Sequence, residues 1–134
     1  MEKASFKLES YRFDKAILDF SNSIGTELNL TFKPKGEFYP KEGRYNLFFE
    51  VIIDCENTNI ITVSCKSSFL FNGSTSIEDI PEYFYPNSIA IIFPYIRAFI
   101  STLSLQANVQ PIVLPTINLI GLTNELKENT SIIE

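Results

Sequence analysis

Few side chains in this sequence could do chemistry, and their spacing restricts what that chemistry could be. Histidine is absent, which removes the usual general base near neutral pH and the commonest metal ligand. Cys55 and Cys65 are the only thiols, too few to close a zinc site. The best-placed carboxylates are Glu50 and Asp54, four positions apart on one strand face. They would stand roughly 13 Å apart at about 3.3 Å per residue, too far for direct pairing, so a solvated strand face is the better reading of them. No Gly-rich run suited to cradling phosphates occurs. The sequence therefore predicts no catalytic residue, no metal site and no cofactor, and points to a binding protein rather than an enzyme.

Charge and composition narrow the partners. The formal net charge is −5 and the eleven basic residues are scattered along the chain, so no electrostatic footprint for a phosphate backbone is evident and nucleic acid is not an expected partner. Twelve Phe and six Tyr with no Trp give more aromatic surface than one small core readily hides. Composition alone favours a Phe-rich core, the alternative being that part of this aromatic surface lines a binding surface. The sequence Met1-Glu2-Lys3-Ala4-Ser5-Phe6 lacks the basic and then apolar run of a signal peptide, so a cytoplasmic location is expected. The most apolar stretch, Ile89 to Leu105, is interrupted by Pro94, Arg97, Ser101, Thr102 and Ser104 and falls short of a membrane span. Membrane insertion is not expected.

The elements that position these residues segregate along the chain, strands first and helix last, which predicts one α+β domain over residues 1–134. Phe6 to Phe20 reads as one long strand bent near Asp14-Lys15. Leu28, Leu30 and Phe32 alternate with polar residues in a second strand ending at Pro34-Lys35-Gly36. Tyr45 to Cys55 has apolar residues at every odd position. Ile60 to Phe71 returns after a polar turn, so the two form a hairpin. Closing that turn at Asn57-Thr58 would set Cys55 opposite Ile60 and leave Cys65 several residues away, so no internal disulfide is expected.

Between Pro81 and Pro86 lies Tyr83-Phe84-Tyr85, read as an aromatic loop because prolines flank it. Asn87 or Ser88 then caps a helix running to about Gln106, with Ile89, Ile92, Phe93, Ile96, Phe99, Ile100 and Leu103 on one stripe. Pro94 should kink this helix or mark its true first turn. Ile91, Tyr95 and Leu105 fall off the stripe. A helix apolar on more than one side needs a second partner, which a neighbouring subunit could supply. Thr116 to Leu126 reads as a short, weak helix broken by Gly121. The predicted fold is a four-stranded antiparallel sheet packed on a long α-helix, with a short C-terminal helix.

The run Ile92-Phe93-Pro94-Tyr95-Ile96-Arg97, followed by Ile100-Ser101 and by Pro111-Ile112-Val113-Leu114-Pro115-Thr116-Ile117-Asn118, resembles the SecB protein-export chaperones. Their long helix begins with a Phe-Pro-Tyr-x-Arg element, and a Pro-rich extended segment leads to their second helix. Only the helical third matches residue by residue, while the order of strands extends the likeness over nearly the whole chain. The resemblance implies an ATP-independent holdase that keeps unfolded polypeptide clients in apolar grooves, assembled as a homotetramer, a dimer of dimers. It makes Phe38, Tyr39, Tyr83, Phe84 and Tyr85 the groove candidates, and Ile92, Tyr95, Ile96 and Phe99 the candidates for the contact between subunits.

In that family an acidic face of the sheet docks the SecA motor. Here the matching positions hold Lys15, Asp19 and Ser64, so Asp19 is the one acid left and weak binding to SecA is expected. The resemblance leaves a role in export and a role for a dedicated client, such as an antitoxin, both open. The competing reading is a binding module for a small apolar ligand, enclosed between a sheet and a helix lid.

Overall fold

The computed structural model describes residues 5–22, 27–72 and 75–134. Four long strands come first: β1 (Phe6–Leu18), β2 (Leu28–Tyr39), β3 (Arg44–Cys55) and β4 (Thr58–Phe71). A 3₁₀ turn at Ile77–Asp79 leads into α1 (Phe84–Gln106), and α2 (Leu119–Glu128) and β5 (Thr130–Ile132) follow. The sheet order is β1-β4-β3-β2-β5. The fold is α+β as expected, but the sheet has five strands and is mixed, because β5 pairs parallel with Gly36–Phe38 of β2. Three residues at the chain's end carry too little periodicity to announce a strand.

The hairpin between β3 and β4 forms, with a turn one residue earlier than the sequence suggested. Cys55 faces Thr58, and the two turn residues Glu56 and Asn57 have φ of 50° and 66°, the left-handed pair of a type I′ turn that matches strand twist. Cys65 lies opposite Phe49 and Phe13. Six positions of β3 thus separate the two thiols, about 20 Å along the strand; neither forms a disulfide and both are buried.

β1 is long and bent, with register shifts at Glu9 and Asp14. The second matches the irregularity expected near Asp14-Lys15; the first was not foreseen. Each extra residue reverses the alternation of faces. The bulge at Glu9 is what turns Tyr11 and Phe13 inward, because continued alternation from Leu8 would have aimed them outward.

β2 does not stop at Pro34-Lys35-Gly36 but continues to Tyr39. The Gly36 N–H donates to the Asn129 carbonyl at 3.2 Å, so the backbone at this parity points away from β3. Pro34 shares the parity, and its missing N–H therefore removes no bond to β3. Gly36 is required by close approach: a Cβ there would overlap the Tyr45 ring and hydroxyl.

The inner face of the sheet carries Leu47, Phe49, Val51 and Ile53 of β3 and Ile61, Val63 and Phe69 of β4, all buried. Against them α1 sets Ile89, Ile92, Phe93, Ile96 and Ile100. Burying one such side chain is worth about 1.5–3 kcal/mol, so this interface holds the layers together. α1 is 23 residues long and, by length and composition alone, apolar enough to cross a membrane. One side of it is the inner wall of this core. Pro86 falls in its first turn, where backbone N–H groups have no helical partner in any case. For this reason the helix starts at Phe84 rather than at Asn87 or Ser88. Pro94 lies inside α1 on its exposed side. Asn118 caps α2 by accepting from the Ile120 N–H at 3.1 Å.

Candidate functional site

The aromatic residues separate into a core group and a surface group. Phe84 is fully buried, ringed by Tyr45 at 4.7 Å, Phe6 at 4.8 Å, Phe71 at 5.0 Å and Phe69 at 5.5 Å between centroids. Phe38 belongs to β2, not to a loop, and is fully buried against Tyr45 and Phe71. Tyr85 is buried with the Lys127 ammonium 5.6 Å from its ring centroid; burial, and then the nearby Glu82, raise its pKa. These three are corrections to the expected groove: the aromatic loop is the first turn of a helix, and helical geometry rotates two of its rings into the core. Tyr39 is half-buried on the outer face, where its hydroxyl donates to Glu37 at 3.1 Å, and that bond raises its pKa. Tyr83 alone of the five is well exposed, at 53%.

The contact set expected between subunits divides in the same way. Ile92 and Ile96 are fully buried within the chain, so they hold α1 to its own sheet and cannot meet another subunit in this conformation. Tyr95 is 43% exposed and stacks on Tyr11 of β1 at 4.5 Å. Phe99 is half-buried and stacks on Phe13 at 3.9 Å. The off-stripe residues Ile91 and Leu105 are exposed, as the excess apolarity of the helix implied.

What the structure assembles is an apolar seam between β1, an outer strand of the sheet, and α1. Phe6 and Tyr83 (6.2 Å apart) stand at one end, Tyr11 and Tyr95 in the middle, and Phe13 and Phe99 beyond. Ile91 adds to it from the helix and Leu18 from the end of β1, both exposed. Sequence reasoning missed the contribution of β1. The alternation of Tyr11 and Phe13 was visible, but which face they took depended on the bulge at Glu9.

The remaining candidates lie elsewhere. Lys15 and Ser64 face each other on the outer side of the sheet, and the Ser64 hydroxyl donates to Glu50 at 3.1 Å. Asp19 lies past the end of β1, exposed; hydrogen bonds from the Ser21 hydroxyl and N–H hold its pKa below the ordinary value. Asp54 accepts from the Asn59 side chain at 3.1 Å, so the two strand carboxylates are held by neutral neighbours. One cavity, about 780 Å³, is an open trough on the outer face bordered by Lys33, Lys35, Phe48, Glu50, Ser64, Glu125 and Glu128. It is not enclosed between the helix and the sheet, where an apolar ligand would have to sit. Among the described residues, no group of three His, Cys, Asp or Glu is placed to hold a metal ion.

No family model matches the chain. Over 53 residues it is 42% identical to an uncharacterized protein of Methanocaldococcus jannaschii; that stretch is 40% of this chain and 34% of the relative, so the chain spans about a third of the curated protein it matches. The fold is SecB-like. It superposes with a TM-score of 0.61 and 14% identity on the Mycobacterium tuberculosis SecB-like chaperone Rv1957, solved in complex with a ChAD peptide from the HigA1 antitoxin, covering 84% of this chain and 91% of that one. A Streptococcus agalactiae protein of unknown function is also similar in structure, with a TM-score of 0.48, 7% identity and coverage of 84% of this chain and 98% of that one.

Proposed function

We propose that this protein is an ATP-independent holdase that keeps a polypeptide client unfolded, with a dedicated client such as an antitoxin favoured over general export. The observation that carries the reading is the half-covered aromatic seam between β1 and α1 on a SecB-like fold. Apolar burial is non-directional and worth roughly 25 cal/mol per Å², so such a seam accepts many side-chain sequences. It needs no nucleotide, metal or chemical turnover. The SecB-like neighbour binds a peptide from an antitoxin, which supports the dedicated-client form of the reading.

One end of the seam and the outward side of α1 take different roles. The Tyr83 and Phe6 end, beside the start of α1, receives the client. The outward side of α1 at Ile91, Tyr95 and Leu105 packs against a second copy, giving a dimer that pairs into a tetramer in the cytoplasm. Light scattering of a chemically denatured client, diluted with and without the protein and without ATP, tests the function. Aggregation should fall at near-stoichiometric ratios, and Tyr83→Ser should weaken this without changing the mass in solution. Tyr95→Asp should lower the mass. Suppression of no client would overturn the reading, and a monomeric wild type at micromolar concentration would overturn the assembly.

A further inference from the structure

The outer face of the sheet carries a concentration of positive charge that the chain as a whole does not. Strand register places Lys7, Arg12, Lys15, Lys33, Lys35, Arg44 and Lys66 on this one face, although the protein is net acidic. Arg12, Lys66, Phe48 and Lys35 stand directly opposite one another across β1, β4, β3 and β2, and the row beside them reads Lys15, Ser64, Glu50, Lys33. The Lys66 ammonium sits 5.6 Å over the Phe48 ring. Arg12 is paired with Asp14, and Arg44 with Glu9 and Glu42. Lys7, Lys15, Lys33, Lys35 and Lys66 form no ion pair among the described residues.

Lysines on outer strands guard a sheet against pairing with other chains, and that accounts for Lys7 and Lys15 on β1. It does not account for Lys66, which lies on the interior strand β4 and flanks a half-buried Phe48 on β3. Phe48 lies between Lys66 and Lys35 across the strands and lines the open trough together with Lys35, which has the character of a recognition surface.

We propose that this outer face docks an acidic polypeptide segment, with carboxylates on Lys35 and Lys66 and an apolar side chain on Phe48. A peptide is favoured over a nucleic acid because Glu37, Glu50 and Asp54 are interspersed on the same face. Continuous phosphates would meet these acids, whereas an extended peptide can place neutral residues against them. The trough is bounded at the β2 side by Glu125 and Glu128, which likewise repel a uniform polyanion. The proposal does not depend on the holdase reading, because it uses the opposite face of the sheet.

Fluorescence anisotropy tests it with a labelled peptide alternating Glu with Leu, the same peptide with Lys for Glu, a single-stranded oligonucleotide and anionic phospholipid vesicles. The Glu peptide should bind, more weakly as salt is raised. Lys35→Glu with Lys66→Glu should weaken it by about tenfold or more, while suppression of client aggregation is unchanged. If the double reversal fails to fold, Lys66→Gln alone should still give a measurable loss. The proposal is overturned if the Glu peptide fails to bind at low salt, if the Lys peptide binds equally, if the substitutions leave affinity unchanged, or if oligonucleotide or vesicles bind more tightly.

Discussion

Tyr83 and Phe84 are adjacent aromatics that the fold puts to opposite uses, and replacing each by alanine separates core from surface. Phe84 is fully buried with four rings at 4.7–5.5 Å. Truncating a buried Phe removes its transfer free energy and leaves a cavity that rigid neighbours cannot close, a loss of about 3–5 kcal/mol. That is a large share of the roughly 5–15 kcal/mol by which domains are stable. With a urea slope of about 2 kcal/mol per M, the midpoint should fall by roughly 1.5–2.5 M with the slope unchanged. Tyr83 is 53% exposed, so Tyr83→Ala should shift stability by about 0.5 kcal/mol or less. Urea unfolding followed by far-UV circular dichroism, at one fixed protein concentration because assembly adds stability by mass action, reads both. A fall of less than about 0.5 M for Phe84→Ala, or equal shifts for the two variants, would refute the placement of α1 on the sheet.

Gly36→Ala should destabilise by about 1–3 kcal/mol through overlap with the Tyr45 ring, read as a lower melting temperature. Stability should also fall in alkali. Burial pushes the Cys65 thiol from 9.0 up to about 11 and raises Tyr45 as well. The unfolded chain therefore loses these protons first, and stability present below pH 9 is lost as the pH rises toward 11. Urea midpoints that stay level or rise over that range would contradict the burial of Cys65. SecA should bind at least about tenfold more weakly than it binds an export SecB at the same salt, because Lys15 and its neighbours oppose a basic surface. Lys15→Asp with Ser64→Glu should strengthen whatever binding exists, as measured by surface plasmon resonance.

The hydrophobic alternation of β3 and β4 and the stripe on α1 were legible because each element buries one face along its whole length, which leaves a periodic record. What was not legible depended on single residues. The bulge at Glu9 carries no composition signal, yet it decides that Tyr11 and Phe13 face α1. Pro34 and Gly36 resemble a turn, but Pro34 directs its missing donor away from β3 and Gly36 admits the Tyr45 ring. Pro86 suggested a loop and proved to be the first turn of a helix, which moved Phe84 and Tyr85 from the expected groove into the core. Of the sequence candidates, Tyr83 and Tyr95 keep the exposure their roles require. The outer-face cations are far apart in sequence and meet only through strand register.

Selective capture of unfolded chain is measured directly by isothermal titration with a permanently unfolded client, reduced and carboxymethylated, beside the same client in its native fold. The unfolded form should bind without ATP, with a negative heat-capacity change from apolar burial and clear weakening by Tyr83→Ser, and the native form should not bind. Equal binding of both forms, or none of the unfolded one, would contradict the holdase reading.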